Sequence, residues 1–181
     1  MLMRRFRAFC AGLSVAFLWG CATPAPDSNA APPSGGDAYY VIGVAPVDVR
    51  LEIADGTVKN GALNLAFFRL VTPSYMPAPG GYIVVKAVGG TSYGVLSAGM
   101  MFGNRSVLGD FYQPAGRTLV FNVPAGKVIY VTNLVYRRIG GGSLAMDQAP
   151  NVEGARALMR QHYPQLADRL EQGRIGFLPA R

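Results

Sequence analysis

Two nearly identical turns, Gln113-Pro114-Ala115-Gly116-Arg117 and Val123-Pro124-Ala125-Gly126-Lys127, stand ten residues apart. Proline presets φ at the second position of a reverse turn and glycine relaxes the fourth, so the chain reverses twice in a short span. Between them residues 118–123 alternate, with Leu119, Phe121 and Val123 on one side. Period two marks a half-buried strand. Other β-favouring runs fall at 39–44, 47–53, 82–88 (Ile83, Val85 and Ala87 on one side) and 128–138, with Asp55-Gly56 and Asn60-Gly61 as turn signals. Residues 63–71 place Leu63, Leu65 and Phe67 on one face, and the slip at Phe67-Phe68 reads as a bulge. Pro73, Pro77 and Pro79 interrupt; residues 100–102 read as a weak element and 103–112 as a loop. Strand spacing of this kind predicts a sandwich or barrel of about seven strands.

Gly140-Gly141-Gly142 is expected to end the sheet. Residues 151–172 then change period: Val152, Ala155, Met159, Tyr163, Leu166 and Leu170 form one stripe, with Arg156, Arg160, Asp168 and Arg169 off it. Asn151 fits an N-cap, Pro164 a kink or restart, and Gly173 a stop. The stripe is expected to dock on the sheet, because it lacks the large aromatic and basic flanks of a membrane-surface helix.

The N-terminus has a different character. Arg4, Arg5 and Arg7 precede a short apolar stretch, 8–19, that ends in Leu18-Trp19-Gly20-Cys21. So short a run suits a cleaved export signal better than a membrane span, which needs about 20 apolar residues. The segment resembles the bacterial lipoprotein signal: an aliphatic residue, a tolerant position, a small residue, then Cys. Trp19 is bulky for the tolerant position. The resemblance implies cleavage before Cys21, a thioether-linked diacylglycerol on its sulfur and an acyl chain on its new amine. Several chains together hold firmly, since each buried methylene contributes about 0.8 kcal/mol. The resemblance also implies that Ala22, in place of Asp, favours the outer membrane. The alternatives are an uncleaved membrane helix or a plain signal peptide cut near Ala22. Residues 22–38, rich in Pro, Ala, Ser and Gly, read as a disordered leash that reaches roughly 20–25 Å. Residues 39–181 are then the folded domain.

Composition narrows the partners. The formal charge of +7 counts the three leader arginines, so the mature chain carries about +4. Only Lys59, Lys86 and Lys127 are lysines, and no basic stripe with interleaved aromatics is present, so nucleic acid is not an expected partner. Mild attraction to anionic lipid or glycan fits better. Cys10 leaves with the leader and Cys21 is used by the anchor, which removes thiol redox chemistry and cysteine metal sites from the domain.

The Pro124-Ala125-Gly126-Lys127 turn, the Val128-Ile129-Tyr130-Val131 strand and the segment from Ala155-Arg156-Ala157-Leu158 to His162-Tyr163-Pro164-Gln165-Leu166 look similar to a loose group of small bacterial lipoproteins. The likeness covers roughly Arg117 to Gln172 and implies a β-sandwich core and an envelope location; it carries no catalytic residues.

One motif points elsewhere. Gly90-Thr91-Ser92-Tyr93-Gly94 fits G-x-S-x-G, the elbow that presents a nucleophilic serine on a strand-to-helix turn. Asp110 or Asp147, then His162, follow in triad order. Against it, no convincing helix precedes residue 150, no His-Gly oxyanion segment lies upstream, and His162 sits inside a helix. A Gly-rich interstrand turn is the plainer reading of 90–94. A metal at His162 would lack a second His or Cys. Gly89-Gly90 and Gly140–Gly142 lack the Gly-Lys-Ser/Thr of a phosphate loop. Arg137 and Arg138 alternate along a strand and so face opposite ways. Tyr39-Tyr40, Tyr75, Tyr82, Tyr93, Phe111-Tyr112 and Tyr136 read mostly as packing, with one cluster available as a partner surface.

The expectation is thus a mainly β protein, an immunoglobulin-like or related β-sandwich with a C-terminal amphipathic helix. Cys21 is the lipidation site, and no catalytic, metal-binding or cofactor-binding residue is assigned. The expected role is a non-enzymatic interaction or accessory module of the envelope. It would be tied to the membrane by its lipid and would meet another envelope protein. A tethered serine hydrolase using Ser92, or a small-ligand carrier binding in the sandwich mouth, are the alternatives.

Overall fold

The computed structural model describes residues 26–65, 72–78, 80–102, 105–112 and 116–181, with side chains for all of these except 102 and 105–111. The order is β1 (Asp37–Ala45), β2 (Val49–Lys59), β3 (Ala62–Leu65), β4 (Ser74–Tyr75), β5 (Tyr82–Val88), β6 (Thr91–Phe102), β7 (Arg105–Tyr112), β8 (Thr118–Val123), β9 (Val128–Gly140) and β10 (Ser143–Gln148). Helices α1 (Val152–His162) and α2 (Pro164–Ala167) follow, then β11 (Leu170–Gln172) and β12 (Ile175–Leu178).

The fold is mainly β, with two facing sheet layers and a short C-terminal helix pair. In the first layer β1 lies between antiparallel β5 (Tyr40 opposite Val85) and parallel β9 (Tyr40 opposite Ile129). Strand β9 continues antiparallel to β10, and β11 runs parallel beside its start. In the second layer β6 pairs with β2 on one side and with β8 on the other, and β12 follows β8. Strand β7 extends from β6 and meets β10 at Phe111–Ser143, so hydrogen bonding continues from one layer into the other. Between the layers Tyr40, Ile42, Ile83, Val85, Ile129 and Val131 face Leu51, Ile53, Tyr93, Val95, Leu119, Phe121 and Val123. The alternations expected at 82–88 and 118–123 therefore point inward as read.

The other face of the first layer is covered too. Tyr39, Val41, Tyr82, Val84, Val128 and Tyr130 receive Ala155, Met159, Tyr163, Leu166, Ala167 and Leu170. The apolar stripe docks on the sheet, as its spacing predicts.

Several boundaries differ from expectation. The helix expected over 151–172 divides: Tyr163 leaves helical geometry at φ −140°, Pro164 starts α2, and Leu170–Gln172 are extended and pair with Val128–Tyr130. Leu170 still falls on the buried side, which is why it mimics a helical stripe. The segment 91–112, expected as a turn, a weak element and a loop, is the hairpin β6–β7. Its glycines and serines have poor strand propensity, and pairing with β2 and β8 overrides that. Asp55-Gly56 is not a turn but lies within β2, opposite Tyr93 and Ser92. Asn60-Gly61 is one, with φ of 53° and 70°, as a two-residue hairpin requires. Gly140–Gly142 do not end the sheet; all three take positive φ at the tip between β9 and β10. In the second Pro-Ala-Gly turn Lys127 N donates to Pro124 O, so Gly126 (φ 75°) holds the third turn position, where positive φ is needed, and not the fourth. Of the apolar run 63–71 only Leu63–Leu65 fall among the described residues.

Two further arrangements had no sequence signal. Leu63 is fully buried over Gly94, where an added Cβ would come within 2.5 Å of its side chain. The chain end runs beside β3, with Leu63 N donating to Pro179 O at 2.8 Å and Arg181 N to Leu63 O at 2.9 Å, which covers an otherwise open strand edge. The stretch expected as leash is also laid down in part. Ala30 packs with the helix-facing cluster, Pro33 is buried, and the Tyr39 hydroxyl donates to Ala31 O at 3.2 Å.

Met159→Ala should cost about 2–5 kcal/mol, since Met159 is fully enclosed between helix and sheet. Arg160→Ala, one residue on and exposed, should stay within about 0.5 kcal/mol. Urea midpoints of the two variants check this; equal midpoints would mean the helix is not packed as described.

Candidate functional site

The most elaborated polar cluster joins β9 to the start of α1. Between Val41 and Gly43 β1 advances two residues while β9 advances three, from Tyr130 to Asn133. This bulge brings the Asn133 side chain over Gly43, where any Cβ would overlap it. The Tyr130 hydroxyl donates to Asn133 Oδ1 at 2.8 Å and accepts from Asn151 N at 2.7 Å. Asn151 Oδ1 in turn accepts from Gly154 N at 2.9 Å, the N-cap expected of that residue, and Ala149 N donates to Asn133 O at 3.0 Å. Burial holds the Tyr130 phenol above its ordinary range, while the hydrogen bond from Asn151 pulls the other way. The phenol is thus neutral and fully engaged at pH 7. Its chemistry is positional: it fixes where α1 begins on the sheet. Asn151 is the one member of this cluster that the sequence marks, as a helix cap; the Tyr130–Asn133 contact depends on the bulge and has no local signal.

A second cluster closes the inter-layer core near β7. Tyr136 is 4% exposed, its hydroxyl makes no hydrogen bond among the described residues, and the Tyr112 ring meets it edge-on at 5.6 Å. Burial pushes both phenols up, Tyr136 far beyond the usual tyrosine range. Met146 is the β10 register partner of Tyr136, and both Met146 and Met100 are partly buried against the inter-layer core.

The residues singled out from sequence are scattered. Cys21 lies outside the described residues. Ser92 is a mid-sheet strand position, paired with Gly56 on one side and Asn122 on the other, so it is not on a strand-to-helix elbow. His162 is exposed at the end of α1, on the far side of the first layer from β6. Asp147 is tied to Arg137 at 2.8 Å on β9 and β10, and Asp110 lies in β7 with its side chain outside the description. The structure therefore does not bring Ser92 and His162 together. Among the described residues no three His, Cys, Asp or Glu side chains converge as a metal set. Tyr40, Tyr75, Tyr93 and Phe121 form an internal aromatic cluster, with Tyr40–Phe121 centroids 5.1 Å apart and Tyr93–Phe121 stacked at 5.8 Å. Tyr39, Tyr82 and Tyr163 pack beneath the helices.

Tyr130→Phe should cost about 1–3 kcal/mol, because it leaves Asn151 N–H and Asn133 Oδ1 without their partner. Tyr136→Phe removes a buried hydroxyl that bonds nothing described, and should leave the denaturation midpoint unchanged or raise it. The raised phenols also set an alkaline limit. A group that holds its proton more tightly when folded contributes fully below its unfolded pKa, about 10 for tyrosine, and loses that contribution as pH rises further. Stability should be flat with respect to these groups up to that pH and fall above it, less steeply in Tyr136→Phe; a fall that begins well below pH 10 would contradict the assignment.

No protein-family model matches the chain, and no curated protein or solved structure is similar enough to match it.

Proposed function

We propose that this chain is a lipid-anchored envelope protein whose β-sandwich-type domain acts as a non-enzymatic interaction or accessory module, acylated at Cys21. The observation that carries the reading is Leu18-Trp19-Gly20-Cys21, closing a short apolar stretch behind Arg4, Arg5 and Arg7. Ala22 directs the anchor to the outer membrane on this reading, with the domain on the periplasmic side. The mechanism is tethered binding: the anchor raises the concentration of the domain near membrane partners, so a weak surface contact suffices. The scattering of Ser92, Asp147 and His162 favours this over the tethered hydrolase. A small-ligand carrier remains the second reading, favoured by a buried Tyr136 hydroxyl that bonds no described residue and by the partly buried Tyr112 ring against it.

Expressed at full length in a Gram-negative host, the protein should partition with membranes. Its N-terminal peptide should carry diacylglyceryl and acyl mass on Cys21, while Cys21→Ala shifts it to the soluble fraction. In-cell cross-linking should then capture a defined envelope species from the anchored form and less of it from Cys21→Ala. An unmodified Cys21 with equal partitioning overturns the anchor. Labelling of Ser92 in folded protein by a fluorophosphonate probe overturns the non-enzymatic role.

A further inference from the structure

We propose that the helix pair faces the bilayer and that Arg160 and Arg169 rest against anionic lipid headgroups. The proposal rests on acylation of Cys21. Treated as free chain, residues 22–38 would let the domain float at any orientation. Packing removes most of that freedom, because Ala30 sits in the helix-facing cluster, Ala31 O accepts from Tyr39, and Ala30 N closes a turn onto Asp27 O. Four residues then separate Cys21 from Pro26, and the five steps from one Cα to the next, fully extended, span at most about 18 Å. That is less than two helix diameters of about 10–12 Å each. The side of the domain that carries Ala30 is also the side that carries α1 and α2, so so short a link holds the helix pair toward the lipid surface. The β2–β6–β8 layer lies beyond the first sheet, a further sheet spacing of about 10 Å away.

The charges on that side agree with this placement. Arg156 is paired with Glu153, and Lys127 with Glu171. Arg160 and Arg169 are exposed and form no ion pair among the described residues; Asp168 is the exposed acid beside them. Cationic side chains held near an anionic leaflet are attracted to it, and the attraction fades within a Debye length of about 8 Å at physiological salt. Only a face kept close by a short link gains from it.

The mature chain has no thiol besides Cys21, so a single reporter cysteine can be placed at will. Full-length acylated protein carrying Ala157→Cys on α1, which leaves both arginines in place, or Glu52→Cys on the outer face of β2, is labelled with bimane and reconstituted into phosphatidylcholine vesicles with headgroup-nitroxide lipid, with and without phosphatidylglycerol. Both sites are exposed, so both variants should fold. Quenching should be several-fold stronger at 157 than at 52, and should weaken at 157 when phosphatidylglycerol is omitted or salt is raised. Equal quenching at the two sites, or stronger quenching at 52, overturns the orientation. A preference for 157 that ignores lipid charge and salt overturns the headgroup contact. The mass of the N-terminal peptide in the same sample separates the two levels: acylated Cys21 with equal quenching sinks only the orientation, whereas unmodified Cys21 sinks the anchor and the orientation together.

Discussion

Strands β1 and β9 are buried on both faces, and the layer order follows from that. Along β1, Tyr40 and Ile42 enter the inter-layer core while Tyr39 and Val41 point the other way, and all four are covered. The same holds along β9, where Ile129 and Val131 oppose Val128 and Tyr130. Fully burying a large apolar side chain contributes about 1.5–3 kcal/mol, so neither face can be left to water without a large loss. One cover is the β2–β6–β8 layer; the other is the helix pair. The helices are therefore part of the core and not an appendage on a finished sandwich.

Polar groups fix where those covers sit. On the helix side Tyr130 links the β9 bulge to the first residue of the helix cap, so a strand irregularity and a helix start share one hydroxyl. On the other side the Tyr40, Tyr93 and Phe121 rings interlock at 5.1–5.8 Å and hold the two layers in register. The Tyr93 hydroxyl reaches back to accept from Val88 N at 3.0 Å, tying β6 to the end of β5.

What the sequence disclosed and what it hid divide along physical lines. Alternation at Leu119, Phe121 and Val123, the stripe from Val152 to Leu166, the Asn151 cap and the Pro164 restart were all readable, because each is a local pattern with a local cause. The β6–β7 hairpin was not, since Gly94, Gly99 and Ser97 disfavour strands and only pairing with β2 and β8 makes them extended. Leu170 kept helical spacing yet joined β9 as a strand, because burial of that side chain constrains its direction and not its backbone. Docking of Ala30 and Pro33 escaped composition altogether: a Pro- and Ala-rich segment reads as linker until a cluster exists for it to lie on. Of the candidate residues, Ser92 and His162 satisfied a motif in one dimension and lost it in three. The Tyr130–Asn133–Asn151 link gathers residues whose joint role depends on a bulge that no local pattern announces.

The central claim is that α1 belongs to the same cooperative core as β1 and β9. Native-state hydrogen exchange across a denaturant series tests it most directly. The account predicts that the amide of Met159 opens with the same free energy and denaturant dependence as those of Val41 and Val131, at the global unfolding limit. Opening of Met159 at clearly lower free energy, with β1 and β9 still protected, would show that the helix is a separable cover and would contradict the account.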